Sequence, residues 1–334
     1  MKPFRFGLQI GACKNKVEWT EFAKKAEALG YDIVTMPDHL SNQFSPIPAL
    51  MAIANATSIL RIGMLVLCND FRHPLVLAKE LATLDVLSEG RLEIGLGAGW
   101  MPSDYEFSGI SFDAPSSRIA RLQETITIIR GAFANEKLNF DGVFYKIKNF
   151  EGLPKPIQSP MPPLLIGGGG TKMLTLATKE ANILSIANTK TKDFAEDVIG
   201  RMSAMARKKN NLIDEPSNDI SKSSMDSLSA IAVDKKVTEI RSLAGNRMPD
   251  IELNIRPFMT NINKNVKTIT ERLSVSLKTT TQNVLDNPFA LIGPPKKLID
   301  DLTYRRSRWG ISYVTIGADD LDLFAPVVSY LKGK

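Results

Sequence analysis

Few residues in this chain are suited to chemistry, and they cluster at predicted strand ends. Only two histidines occur, His39 and His73. His39 follows Asp38 just after the apolar stretch Asp32 to Met36, which Pro37 stops. An imidazole is the side chain best matched to proton exchange near neutral pH, so Asp38-His39 at a buried strand's exit is a candidate acid/base pair. The other reading of His39 is a structural histidine bonded to backbone. His73 stands directly before Pro74 and reads as a helix cap. Gly167, Gly168, Gly169 and Gly170 precede a helical pattern that opens with Thr171 and Lys172. Such a run can offer backbone N–H groups to a phosphate, and the helix adds its positive end; a flexible turn is the alternative. Arg5 and Glu93 both point inward by strand parity and read as a buried pair that neutralises itself.

These residues need a scaffold, and the stretch from Arg61 to Tyr105 shows its repeating unit. Ile62 to Leu67 is a short, nearly continuous apolar run, as expected for a strand covered on both faces. Pro74 then opens a helix in which Leu77, Leu81, Leu84 and Leu87 recur, ending near Gly90. In Arg91 to Gly97, Leu92, Ile94 and Leu96 alternate with Glu93, Gly95 and Gly97, and the small face predicts room for a ligand. Strand-like runs also occur at Phe4–Ile10, Asp32–Met36, Leu164–Ile166, Asn182–Ala187, Ile251–Phe258 and Ser312–Ile316, with helical patterns between them. Eight parallel strands alternating with helices close most simply into a (β/α)8 TIM barrel.

The alternation has interruptions, after strands four and six above all. Residues 98–117 form a long glycine- and proline-containing excursion, read as a pocket wall. Within 137–160, Asp141-Gly142 predicts a hairpin with a two-residue turn. Residues 188–227 are rich in Lys, Ser and Asn, with one helix expected over Phe194–Lys209. A linker between two domains is the rival reading of that segment; because the alternation resumes after it, residues 1–334 are read as one domain.

The formal charge of +6 and pI near 9.1 suit an anionic ligand, but no Lys/Arg run argues for nucleic acid or a membrane surface. Two cysteines, Cys13 and Cys68, exclude a disulfide framework, and with so few histidines no metal site is expected. No export signal or membrane span is evident, so a reduced, cytoplasmic setting is expected.

Several motifs coincide with a known family. The segment RHPLVLAKELATLDVLSEGRLEIGLGAGW, the dipeptide Asp38-His39, the run PPLLIGGGGTKML and the tail WGISYVTIG resemble the bacterial luciferase-like superfamily of flavin and deazaflavin oxidoreductases. NPFALIGPPKKLIDDL and FAPVVSYL are similar to its coenzyme F420-dependent branch. The resemblance covers most of the chain. It implies a barrel holding coenzyme F420, or alternatively FMN, at its open end, with His39 and Asp38 managing a proton beside the reactive ring. It further implies that Gly167 to Gly170 with Thr171 and Lys172 cradle phosphate. Leu65, Val66 and Leu67 match the third-strand bulge behind the ring, where many members have a non-prolyl cis peptide. Asn69 would lie at the ring's edge, and Trp100, Asp104 and Tyr105 on the substrate side. Asn182 to Ala187 departs from the Asp-Gly-Trp-type ending of many relatives.

The implied activity is hydride transfer between reduced coenzyme F420 and a small organic substrate, in a homodimer packed through early helices. The runner-up is an FMN-dependent monooxygenase served by a separate flavin reductase. A flavin-binding protein without turnover is the reading from another class.

Overall fold

The computed structural model describes residues 1–187, 228–277 and 279–334. In chain order the elements begin with β1 (Arg5–Gln9), α1 (Lys16–Ala28), β2 (Ile33–Met36), α2 (Pro46–Ala56), β3 (Arg61–Met64) and β4 (Leu67–Cys68). They continue with α3 (Pro74–Leu87), β5 (Leu92–Gly97), α4 (Pro102–Ser108), α5 (Pro115–Phe133), the hairpin strands β6 (Leu138–Asp141) and β7 (Lys146–Phe150), then β8 (Leu164–Gly168), α6 (Thr171–Glu180) and β9 (Ile183–Ile186). After residue 227 come α7 (Ala230–Ala244), β10 (Glu252–Ile255), β11 (Met259–Asn261), α8 (Val266–Ser276), α9 (Thr281–Leu285), β12 (Ala290–Ile292), α10 (Pro295–Trp309), β13 (Ile311–Gly317) and α11 (Leu321–Leu331).

Eight strand positions close a parallel barrel in the order β1, β2, β3 with β4, β5, β8, β9, β10 and β13, and β13 pairs back onto β1. The (β/α)8 architecture is therefore as the alternation predicts. Its third strand is broken: β3 and β4 each pair with β5 in parallel, and between them the Leu65–Val66 peptide is cis. The small face of β5 is filled by that break. A Cβ on Gly95 would stand 1.7 Å from the Met64 carbonyl oxygen, and one on Gly97 would stand 2.6 Å from Val66 Cγ2. The expectation that these glycines leave room for a ligand is overturned, because the neighbouring strand occupies the space.

The helices start and stop where local chemistry dictates. Pro74 opens α3, whose first turn has the His73 ring accepting from the Leu75 N–H at 3.3 Å, so the cap expected of His73 is present. Leu77, Leu81 and Leu84 are buried, whereas Leu87 is exposed at the last turn. Buried Asp85 explains how α3 holds the segment before β8: its carboxylate accepts from the backbone N–H groups of Ile157 and Gln158 and from the Gln158 amide. The 138–150 hairpin has a four-residue connection in place of the two-residue turn expected. Glu124 on α5 accepts from the N–H groups of Val143, Phe144 and Tyr145, and that anchor satisfies a wider turn. Beyond β10, β11 and β12 pair in parallel as a small extra sheet that the apolar pattern did not suggest.

One apolar core lies between the strands and the helical shell, and a second, smaller cluster of Ile33, Leu165, Ile183 and Tyr313 fills the barrel interior. The amino-terminal end of the barrel is closed by charge. Arg5 bridges Glu93 at 2.6 Å and Glu252 at 2.8 Å, Arg61 adds a 2.8 Å contact to Glu93, and Arg5 stacks over Tyr313. Burial pushes the Glu252 carboxyl up against the pull of Arg5. Burial also opposes the charge on Arg5, yet Glu93 outweighs it and its guanidinium is held more firmly protonated than usual. The expected Arg5–Glu93 pair is present, and it lies at the end of a barrel that serves stability. The polar segment 188–227, including the helix expected over Phe194–Lys209, lies outside the described residues. Among the described residues no helix is long and apolar enough to cross a membrane, and no cluster of His, Cys, Asp and Glu is arranged to hold a metal.

Candidate functional site at the carboxyl ends of the strands

The loop after β2 brings Asp38 and His39 to the mouth of the barrel, and their side chains take different partners. Asp38 is buried and receives a forked pair from Arg72, at 2.6 and 3.1 Å, together with the Cys68 N–H at 3.0 Å. The Arg72 guanidinium is held protonated by Asp38 despite its burial. Asp38 thus ties the loop after β2 to the end of β4, and it is not the partner of His39. That partner is Asp104 on α4. His39 Nδ1 lies 2.7 Å from Asp104 Oδ2, while the Leu40 N–H donates to Asp104 Oδ1 at 2.9 Å.

In the loop after β5, expected to line a substrate pocket, the three candidate residues differ in exposure. Trp100 is 37% exposed and meets the His39 ring edge to face, with centroids 5.3 Å apart. Asp104 and Tyr105 are buried, at 3% and 2% exposure, and their side chains are engaged within the protein. Tyr105 donates to Asp70 at 2.9 Å and packs against Phe112. Its hydroxyl would sit only 1.9 Å from a Cβ on Gly99, whose φ of +75° is also one that glycine alone adopts freely. Arg118 donates to the carbonyls of Gly99, Ala98 and Asp113, and Arg121 pairs with Asp70 and Asp113. Burial pushes the Cys68 thiol up to about 11, and the Tyr105 phenol is raised by burial and by the Cys68 and Asp70 beside it.

Asn69 follows β4 and is fully buried; its Nδ2 donates to Asp70 at 3.2 Å, but its Oδ1 has no partner. A buried acceptor left unmatched is costly, so an N–H donor from a bound group fits this position. Across the mouth, Gln9 donates to the Leu65 carbonyl at 2.8 Å and accepts from Arg256 Nε at 2.7 Å, which links β1, the third strand and the residue after β10.

Gly167 and Gly168 end β8, and Gly170 caps α6 without a side chain. Thr171 and Lys172 are exposed on the first turn of α6, where backbone N–H groups have no partner within the helix. A Cβ on Gly169 would stand 2.1 Å from the Ala187 carbonyl oxygen and 2.7 Å from Lys236 Nζ, whereas a Cβ on Gly170 meets nothing within 4 Å. Lys236 on α7 donates to the carbonyls of Gly169 at 2.6 Å and Ala187 at 3.1 Å, so an ammonium group braces the glycine run from behind. Neither Lys236 nor Arg72 stood out in the sequence. Lys236 lies in an ordinary amphipathic helix far from the glycines, and Arg72 shows only as one basic residue before a helix.

The combination at the strands' carboxyl ends of a histidine fixed by a carboxylate, an unmatched buried acceptor and a glycine run is that of a ligand-binding (β/α)8 barrel. A family model of luciferase-like monooxygenases matches residues 3–311, and the chain belongs to that family. It is 32% identical over 188 residues to the F420-dependent glucose-6-phosphate dehydrogenase of Microbacterium testaceum (strain StLB037), covering 54% of this chain and 55% of that protein. It is 30% identical over 203 residues to the 5,10-methylenetetrahydromethanopterin reductase of Methanolobus tindarius, covering 61% of this chain and 60% of that one. The chain thus spans little more than half the length of these relatives. The coenzyme F420-dependent tetrahydromethanopterin reductase from Methanopyrus kandleri shares the fold, with a TM-score of 0.71 at 18% identity over 99% of this chain and 100% of that chain.

Proposed function

We propose that this chain, read as one domain, is an oxidoreductase that binds coenzyme F420 at the barrel mouth and passes hydride between it and a small organic substrate. The observation that carries the reading is His39, fixed through Nδ1 to Asp104 while Nε2 has no partner among the described residues. When bound, the deazaflavin supplies a ring carbon that takes up or gives hydride. The chain's own residues do the rest. Gly167 to Gly170, with the first turn of α6 and Thr171 and Lys172, hold phosphate, and Lys236 keeps the glycine run in place. Asn69 Oδ1 accepts from an N–H at the ring's edge. Leu65 and Val66, which pack toward the barrel interior, would support the ring from the third strand, with Leu67 anchoring that strand in the core, and Asp38 locks the strand to the loop carrying His39. His39 Nε2 exchanges the proton that accompanies hydride transfer, and Trp100 shields it on the substrate side. A second copy of the chain covers the outer face of α3, where Val76 and Leu87 are 55% and 58% exposed.

Binding to oxidised coenzyme F420 and to FMN, read by tryptophan fluorescence, tests this. Trp100 is the half-exposed tryptophan at the mouth, beside His39, and the buried Trp19 and Trp309 add to the quenching signal by energy transfer. Quenching by the deazaflavin, weakened at least tenfold in Gly170→Asp, is the expected result. Asp is a favoured helix N-cap and has open space at that position, so this variant places a carboxylate against phosphate while the fold is retained. Preference for FMN would replace the reading with an FMN-dependent monooxygenase that needs a separate flavin reductase. Binding without turnover would favour a carrier, and binding of neither ligand would overturn the cofactor assignment.

A further inference from the structure

The contacts around His39 specify more than its presence at the mouth. A neutral imidazole carries one N–H, and an ionised carboxylate can only accept. With His39 Nδ1 2.7 Å from Asp104 Oδ2, the proton of the neutral ring belongs on Nδ1, which leaves the Nε2 lone pair unshared. The carboxylate is itself fixed, because Oδ1 accepts from the Leu40 N–H at 2.9 Å and the side chain is 3% exposed. Trp100, edge-on at 87°, limits ring rotation from the other side. The α4 turn that carries Asp104 is anchored through Tyr105 to Asp70, and through Arg118 to the carbonyls of Ala98 and Gly99. Asp38, the carboxylate adjacent in sequence, is occupied by Arg72 and the Cys68 N–H.

We propose that Asp104 is the positioning residue of the site, holding His39 in the Nδ1–H tautomer so that Nε2 meets the substrate as a proton acceptor. This rests on the oxidoreductase reading for its use, but the tautomer itself does not depend on any bound cofactor. For that reading, the Nε2 lone pair is placed to take the proton of a substrate O–H as the adjacent carbon gives hydride to the cofactor. With the ring protonated, the same Nε2–H returns that proton to a carbonyl oxygen in the reverse direction. The other histidine provides a built-in contrast. His73 Nδ1 accepts from the Leu75 N–H, so its neutral form carries the proton on Nε2.

Nitrogen-15 NMR of the imidazole groups tests this on the full chain without cofactor, at a pH where the rings are neutral. His73→Asn leaves a single histidine, and its side-chain oxygen can replace the cap. The expected result is an Nδ1–H signature for His39 that switches to Nε2–H in Asp104→Asn, whose amide nitrogen donates to Nδ1 in place of accepting. In the same variant coenzyme F420 binding stays within about threefold, while turnover falls by about 10²-fold or more, the scale expected for a histidine held in the wrong tautomer. An Nε2–H signature in the protein with Asp104 intact overturns the proposal and needs no variant to fold. A signature that Asp104→Asn leaves unchanged overturns it too. If the switch occurs but neither protein binds coenzyme F420, the positioning role stands and the cofactor assignment falls.

Discussion

On the side of the barrel mouth formed by β2, β4 and β5, side chains from distant segments satisfy one another: Asp38 with Arg72 and Asp70 with Arg121 as ion pairs, and Asp104 with His39 through a hydrogen bond. On the side formed by β8 and β9 the surface is backbone, four glycines ending at a helix whose first turn is exposed, with a single lysine bracing it from behind. Under the proposed function the first side handles a proton and must fix one imidazole closely, and a dense set of buried pairs can do this because each is costly to leave half-made. Under the same proposal the second side holds an anion, which needs N–H groups and the absence of side chains and is correspondingly tolerant where space is open. The first side is rigid through chemistry and the second through close backbone approach.

This contrast can be broken by substitution, and the largest effect is expected at His39. His39→Ala should lower turnover about 10²- to 10⁴-fold while coenzyme F420 affinity changes little, a split seen by comparing steady-state rates with fluorescence titration. Equal losses in rate and affinity would mean that the histidine binds and does not transfer protons. Asp38→Ala leaves Arg72 facing an empty buried site and should cost about 3 kcal/mol in urea unfolding, the usual scale for breaking one side of such a pair.

The glycine side sharpens the comparison within itself. Gly169→Ala should destabilise by about 1–3 kcal/mol, since its Cβ meets the Ala187 carbonyl and Lys236. Gly170→Ala, with open space and a φ of −86°, should be neutral or stabilise by up to about 1 kcal/mol, measured in the same unfolding series. If the two behave alike, the braced cradle is wrong.

The smallest effect concerns Cys68, on the densely paired side. Its thiol is pushed up to about 11 by burial, so at pH 8 only Cys13 should react with an alkylating agent in the folded protein, and both should react in urea. The sign for stability follows from the same shift. A thiol raised above its unfolded value of ~8.5 contributes stability that is fully present below that pH and lost as pH climbs toward 11. Cys68→Ala should flatten that alkaline loss in thermal unfolding.

Periodicity was enough to establish the alternating strands and helices, because apolar spacing and the turn residues at Pro74, Gly30 and Gly90 act locally. The glycine run and the His39 position were legible for the same reason: each is a residue type at a strand's exit. The inward pairing of Arg5 with Glu93 followed from parity along short strands. Partnership across the mouth was not legible. Asp38 adjoins His39 in the chain yet binds Arg72, while the carboxylate that holds His39 is 65 residues away. Likewise the glycines of β5, which read as space, are filled by Met64 and Val66 of the neighbouring strand. Sequence determined which elements form and which residue types reach the mouth, since those depend on contacts within a turn or two. Only the closed barrel decided which carboxylate meets which cation, because strand order and loop conformation bring together side chains that no local pattern relates.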